Sequence, residues 1–259
     1  MWLTSSSVGR KLIMSISGLF LILFLAFHMS MNLVAIISSD AYNQVCGFLG
    51  SNWYAVAGTA VLAAGVFVHF AFAIILTLQN RKARGEQRYA VSENQGSVEW
   101  ASQNMFLLGA IVIIGLCIHL VHFWSKMMLP ELLGNAEMIQ ATEAAVNSVN
   151  LQLNNEVEAT QNGAALILYT FKNPVNVVLY VIWLIALWFH LTHGMWSAMQ
   201  TLGANNKTWM PRWKCISNIF ATVVCAGNIS AFSGLNCVQS AHRKSFELEV
   251  ILSLEKISL

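Results

Sequence analysis

Apolar residues fall into five long runs that are separated by polar or charged connections. No Asp, Glu, Lys or Arg occurs in the intervals 12–39, 41–80, 100–125, 173–206 and 215–242. A helix of about 20 apolar residues is long enough to cross a bilayer, so each interval predicts one transmembrane helix. The predicted spans are residues 12–37, 53–78, 103–125, 175–202 and 215–232. The expected fold class is all-α, a polytopic transmembrane helical bundle.

The composition agrees with a membrane protein. The chain is 56% hydrophobic and only 10% charged, with a mean hydropathy of +0.59, whereas soluble domains are about 25% charged. A net charge of +2 and the lack of a basic run interleaved with aromatics exclude nucleic acid as an expected partner. The five cysteines form no CxxC or CxxCH spacing, which argues against covalent haem, iron–sulfur clusters and zinc.

Charged residues predict the orientation. Arg10 and Lys11 precede the first run, which is longer than the roughly 7–15 residues of a signal-peptide core, so we expect a retained helix. Further basic residues lie between the second and third spans and between the fourth and fifth: Arg81, Lys82, Arg84, Arg88, Lys207, Arg212 and Lys214. The positive-inside rule places these connections, and the N-terminus, in the cytoplasm.

The connection at 126–172 is long and acidic, as expected for the outer side. Its acidic residues are Glu131, Glu137, Glu143, Glu156 and Glu158. Residues 131–149 predict a short helix. No catalytic constellation is recognisable in this connection.

Four histidines lie one to a span and are candidate metal ligands: His28, His69, His119 and His190. An imidazole in lipid is costly unless something binds it. Counted from the span ends at about 1.5 Å per residue, His28 and His119 lie toward the outer side, and His69 and His190 toward the inner side. The two levels differ by roughly 6 residues, or about 10 Å. This pattern predicts two bis-histidine haems b, since haem iron takes axial imidazoles and the macrocycle is apolar.

Glycines near the candidate ligands predict room for a macrocycle. Gly65 and Gly115 precede His69 and His119 by four residues and therefore lie on the ligand's own helix face. Gly194 follows His190 and is expected to provide the same clearance.

His122 and His193 each follow a candidate ligand by three residues. We expect them to bond a haem propionate, a backbone carbonyl or a neighbouring helix. A cofactor-free membrane protein whose histidines only bond between helices is the alternative. Zinc would need ligands at one level with carboxylates nearby, and an ion transporter would carry Asp or Glu within its spans.

Together these residues resemble a known family, the dihaem cytochrome b membrane anchor (cytochrome b558 type) of succinate dehydrogenase and quinol:fumarate reductase. The resemblance covers roughly residues 5–225. It rests on the ordered histidines and on these segments: Ser7-Val8-Gly9-Arg10-Lys11, Gly18-Leu19-Phe20, Val68-His69, Gly109, and Phe189-His190-Leu191-Thr192-His193-Gly194-Met195-Trp196-Ser197.

The resemblance implies a bacterial inner-membrane anchor that is not itself catalytic and has no dicarboxylate site. Its partners would be an iron–sulfur subunit and a flavoprotein, with menaquinone as the expected quinone. His69 and His190 would hold the haem nearer the iron–sulfur subunit, and His28 and His119 the outer haem. Residues 1–225 would form the dihaem domain. A haem b anchor of another membrane dehydrogenase is the second interpretation.

Three positions depart from the family pattern. Trp188 stands where some members have a glutamate that relays protons. The loop after the first span offers only Asp40, Asn43 and Gln44 in place of a glutamate linked to quinol chemistry. Residues 226–259 form an atypical tail, which predicts either an interfacial helix or an aberrant end.

Overall fold

In a computed structural model of the chain, residues 2–50, 52–84, 100–150 and 157–257 are described. These residues form helices and turns, without a strand among them. Five helices are long and apolar enough to cross a membrane, which confirms the all-α class with five spans and makes this a multi-pass membrane protein. They are α1 (Ser7–Ile37), α2 (Trp53–Arg84), α3 (Met105–His119, continued by a π turn to Trp124), α4 (Pro174–Thr201) and α5 (Trp209–Ile257, with its apolar span at Trp209–Leu235).

Two helices begin earlier than the hydrophobic pattern predicts, and polar caps explain both. The Ser6 hydroxyl accepts from the Gly9 amide at 2.9 Å near the start of α1. Asn206 Oδ1 accepts from the amides of Thr208 and Trp209 at 2.9 and 2.7 Å where α5 begins. Such caps satisfy amides that lack a partner inside the helix.

The fifth helix does not weaken where its sequence turns polar. Asn228 accepts a hydrogen bond from Asn32 Nδ2 of α1 at 2.9 Å. This bond satisfies a side-chain amide that lipid tails could not hydrogen-bond. Gly227 lies against Met29, because an added Cβ would come within 2.8 Å of the Met29 Sδ atom. Close packing against α1 therefore compensates for the poor helix propensity of these positions.

Arg88 and Glu156, together with the side chains of Arg84 and His242, lie outside the described residues.

The chain forms two compact units. The first comprises Met1–Phe27, Ala57–Gly115 and Val181–Cys225. The second comprises His28–Val56, Leu116–Tyr180 and Ala226–Leu259, and thus includes the stretch that the sequence sets apart as a tail.

The first unit has a small core in which α3 meets α4. Ala101, Leu108 and Ala186 are buried there. Trp183 of α4 donates from its indole Nε1 to the Val112 carbonyl at 3.0 Å, so the indole nitrogen is satisfied within the apolar segment. Many large side chains of the spans remain exposed, as a lipid-facing surface requires: Leu23, Val61, Phe67 and Val223.

The second unit has a core built largely from short helices outside the spans. These helices are Ser39–Phe48, Met128–Leu133, Ala136–Asn150 and Gly163–Phe171. Val146, Ala164 and Leu235 are almost fully buried in the core. The helix predicted at 131–149 is interrupted at Gly134, whose φ of 57° ends Met128–Leu133 in the left-handed conformation that glycine favours.

A buried pair of asparagines joins two of these short helices. Asn43 Nδ2 donates to Asn162 Oδ1 at 3.1 Å, and Asn43 Oδ1 accepts from the Ala164 amide at 3.0 Å. Asn162 caps the helix Gly163–Phe171 by accepting from the Ala165 amide at 3.0 Å. Asn43, which the sequence alone identifies only as a polar residue after the first span, therefore joins two short helices.

Candidate haem site

The first unit brings together His69 of α2 and His190 of α4, here called the inner pair. Their ring centroids are 6.3 Å apart and their planes are inclined by 70°. With a metal–nitrogen bond of about 2 Å, two imidazoles on opposite sides of one metal ion have centroids roughly 6 Å apart. The spacing of the inner pair therefore fits axial coordination of a single iron.

A serine of α1 contacts the imidazole of His69. Ser17 Oγ lies 3.2 Å from His69 Nδ1 and also donates to the Met14 carbonyl at 3.1 Å. Gly18 lies against the same ring, since an added Cβ would be 3.1 Å from His69 Cε1. The close approach of α1 to His69 thus depends on a small residue at position 18.

His190 offers a buried nitrogen to a partner from outside the chain. Its Nδ1 is buried and has no hydrogen-bond partner among the described residues. Because buried polar atoms in folded proteins are almost always satisfied, this nitrogen is available to a group from outside the chain. Gly109 of α3 lies beside the ring, with an added Cβ at 3.5 Å from Cε1.

The second unit brings together His28 of α1 and His119 of α3, here called the outer pair. Their ring centroids are 5.7 Å apart, and the planes are inclined by 85°. Both pairs thus match the pairing predicted from depth, while the role of the four histidines as iron ligands stays a prediction. The outer pair fits one shared metal ion by the same comparison, with slightly less room.

A π-helical turn follows His119 directly. It covers Leu120–Trp124, and the Ser125 amide bonds the Leu120 carbonyl at 2.8 Å. Single π turns inside α-helices are frequent at functional sites. The turn contains His122, so the three-residue spacing from His119 does not correspond to one ordinary α-helical turn.

His122 pairs with a tyrosine rather than with another histidine. Its Nδ1 lies 3.2 Å from the Tyr180 hydroxyl, and the two rings stack with 16° between their planes. The Tyr180 ring also lies 6.3 Å from that of His119. Tyr180 therefore links His122 to the outer pair, a contact that the spacing of histidines could not reveal.

His193 packs against the aromatic side chain of its own helix. The centroids of His193 and Trp196 are 4.7 Å apart, in an edge-to-face arrangement. The Lys214 ammonium lies 4.8 Å from the Trp196 ring centroid. His193 thus belongs to neither the inner nor the outer pair, and a propionate or helix contact for it stays a prediction.

Two of the three glycines expected to give clearance instead receive aromatic rings. An added Cβ at Gly65 would come within 2.6 Å of Phe20 Cε1. The Trp183 ring covers Gly115 still more closely. The prediction for Gly65 and Gly115 is therefore wrong, because helix packing uses the space. Gly194 has open space around it.

Trp188, which stands where some members of the resembled family have a glutamate, contacts the fifth helix. The Trp188 Nε1 atom donates to Thr222 Oγ1 at 3.0 Å, so this position serves a contact between α4 and α5. Over the described ranges, no three His, Cys, Asp or Glu side chains form a group that could hold a metal ion. Haem iron needs only two protein ligands, so the two histidine pairs stay candidates.

Burial shifts the acidity of groups outside the spans. Burial and the neighbouring Cys46 raise the pKa of Tyr42 well above its usual range. Burial also raises the pKa of the Cys46 thiol to about 11, and it lowers the pKa of Lys126, which lies 5.0 Å from the Tyr169 ring. The second unit therefore keeps Tyr42 and Cys46 neutral.

The chain matches no protein-family model, no curated protein and no solved structure.

Proposed function

We propose that this chain is a dihaem cytochrome b membrane anchor that passes electrons between an iron–sulfur subunit and a quinone. The iron–sulfur subunit would carry a flavoprotein that oxidises succinate or reduces fumarate. The chain would lie in a bacterial inner membrane with its N-terminus in the cytoplasm. Menaquinone is the quinone we expect, from the family resemblance.

The observation that carries the proposal is the occurrence of two imidazole pairs, one in each compact unit. The centroid distances of 6.3 and 5.7 Å suit two axial ligands of one iron. Each pair takes its members from two different apolar helices. His69 also bonds Ser17 of α1, but no hydrogen bond joins the His69 ring to the His190 ring in the described part of the chain.

The residues of the chain have distinct tasks in this proposal. His69 and His190 would hold one haem b, and His28 and His119 the other. Bound haem supplies reversible one-electron chemistry. The apolar spans exclude water from the imidazoles, and Ser17 and Tyr180 hold the rings or their neighbours in place.

A reduced-minus-oxidised spectrum of the purified protein tests the cofactor. We expect a b-type α-band and about two haems per chain by the pyridine haemochrome assay. A protein that folds, spans the membrane and binds no haem would show instead that its histidines only link helices.

Co-purification tests the partners. We expect a flavoprotein and an iron–sulfur subunit with succinate:quinone or quinol:fumarate activity in the complex. A haem-loaded chain that purifies with a different dehydrogenase would keep the cytochrome and overturn the succinate or fumarate link.

A further inference from the structure

We infer that Ser17 is a positioning residue that holds His69 in the tautomer able to bind iron and thereby sets the reduction potential of the inner haem. The inference rests on the proposed haem function, and it concerns a residue outside the four candidate ligands. Ser17 acts through the His69 ring and does not contact iron in this proposal.

The hydrogen bonds of Ser17 determine where the proton of His69 lies. A carbonyl oxygen can only accept, so the 3.1 Å contact with the Met14 carbonyl uses the single proton of the Ser17 hydroxyl. The 3.2 Å contact between Ser17 Oγ and His69 Nδ1 then needs its proton from Nδ1. The neutral ring with a proton on Nδ1 has its free lone pair on Nε2, and that nitrogen is available to a metal.

The surroundings make this bond effective. Ser17 is only 8% exposed, so water does not compete for its hydroxyl. Gly18 brings the α1 backbone close to the same ring, with an added Cβ at 3.1 Å from Cε1 and 3.5 Å from Nδ1. The His69 ring is therefore restrained by a hydrogen bond at Nδ1 and by van der Waals contact at Cε1.

The bond also affects the metal electronically. A histidine ligand that donates its other N–H becomes more basic, and a more basic ligand favours the oxidised metal. Hydrogen bonding around axial ligands is one of the means by which proteins set haem potentials. Ser17 is consequently expected to lower the potential of the inner haem.

The test uses Ser17→Ala and Ser17→Thr in the purified protein. Loss of the hydroxyl in Ser17→Ala should raise the midpoint potential of the inner haem in a redox titration and change its low-spin EPR signal. Ser17→Thr keeps the hydroxyl and should restore both. The inner haem is identified by its absence in His190→Ala.

Ser217→Ala is the matched control. Ser217 is fully buried in the same unit, and its hydroxyl likewise donates to its own helix, at 2.7 Å from the Trp213 carbonyl. Its replacement should leave both haem potentials unchanged.

Each outcome decides between the two claims. Absence of haem from the wild-type protein would refute the proposed function itself. A wild type with haem and a Ser17→Ala protein with unchanged potential and EPR signal would overturn the role of Ser17 alone. Loss of haem from Ser17→Ala supports that role if Ser17→Thr restores it, and overturns it if Ser17→Thr does not.

Discussion

The rings of His69 and His190 have centroids 6.3 Å apart, and no hydrogen bond joins them within the residues that the structure describes. Two neutral imidazoles gain little from one another at this distance. Their spacing suits the iron that we propose the two imidazoles share, and both rings lie within the first compact unit.

Replacing one ligand should therefore affect only one haem. In His190→Ala we expect haem per protein to fall by about half, because each proposed haem would depend on two axial imidazoles. The pyridine haemochrome assay measures the ratio, and the difference spectrum identifies which α-band remains. His28→Ala should remove the other band.

His122→Ala is the control for this experiment. His122 contacts Tyr180 and belongs to neither pair, so both bands should persist in the variant. Retention of both haems in His190→Ala would contradict the pairing.

Gly18→Ala should weaken the inner site. The added methyl would lie 3.1 Å from His69 Cε1, which is tighter than ordinary contact, so the ring or the helix must shift. We expect lower occupancy of the inner haem and a broadened redox titration.

Gly58→Ala is matched to it, since Gly58 also lies in a span and has open space around it. Alanine there should be neutral or stabilise the helix by up to about 1 kcal/mol. Equal haem content in the two variants would argue against contact between α1 and His69.

Asn43→Ala should destabilise the second unit. The change removes the partner of the Ala164 amide and one of the two donors to Asn162 Oδ1, and a buried amide left unsatisfied costs about 1–3 kcal/mol. We expect a lower Tm in detergent and faster proteolysis in the connection at 126–172. Asn52→Ala, at an exposed asparagine, should change Tm little.

Cys46 should resist alkylation at ordinary pH. Its pKa of about 11, raised mainly by burial, leaves roughly one thiol in a thousand ionised at pH 8, and the thiolate is the reactive form. N-ethylmaleimide should therefore label the exposed Cys215 before Cys46, as mass spectrometry of peptides can show. Fast labelling of Cys46 in the folded protein would contradict its burial.

The same shift predicts how stability depends on pH. The folded-state pKa of Cys46 lies above the ordinary value of 9.0. The buried neutral thiol therefore makes its full contribution to folding stability below pH 9. It is lost as pH rises from 9 to about 11, because the unfolded chain releases the proton first. Tm measured across this range should fall less in Cys46→Ala than in the wild type.

The five spans could be predicted because charge-free intervals of sufficient length have few other structures open to them. The pairing of His28 with His119 and of His69 with His190 followed from depth alone. Depth does not specify how each helix is rotated, however. Ser17 and Tyr180 were missed for that reason, since neither stands at a distinctive spacing from a histidine.

The glycines show what the sequence of a single helix cannot predict, namely which side chains of neighbouring helices pack beside it. Gly65 and Gly115 lie on the ligand-bearing faces, but Phe20 and Trp183 from neighbouring helices fill the space beside them. A sequence pattern identifies a small residue, and only the packing of other helices determines what the small residue admits. The continuation of α5 past Gly227 has the same explanation, because Met29 and Asn32 of α1 support it.

The π turn at Leu120–Trp124 gives α3 one residue more than an unbroken α-helix would need at this point. A π turn absorbs its extra residue locally, so deleting one residue from it would restore regular α-helix geometry and leave the helix beyond it in the same orientation relative to His119. His122 lies within the turn, so its ring would move relative to Tyr180 and their stacking would be lost. His28 and His119 would stay paired. A single-residue deletion should therefore be tolerated better within the turn than elsewhere in α3. The extra residue of the turn lets His119 face His28 while His122 faces Tyr180.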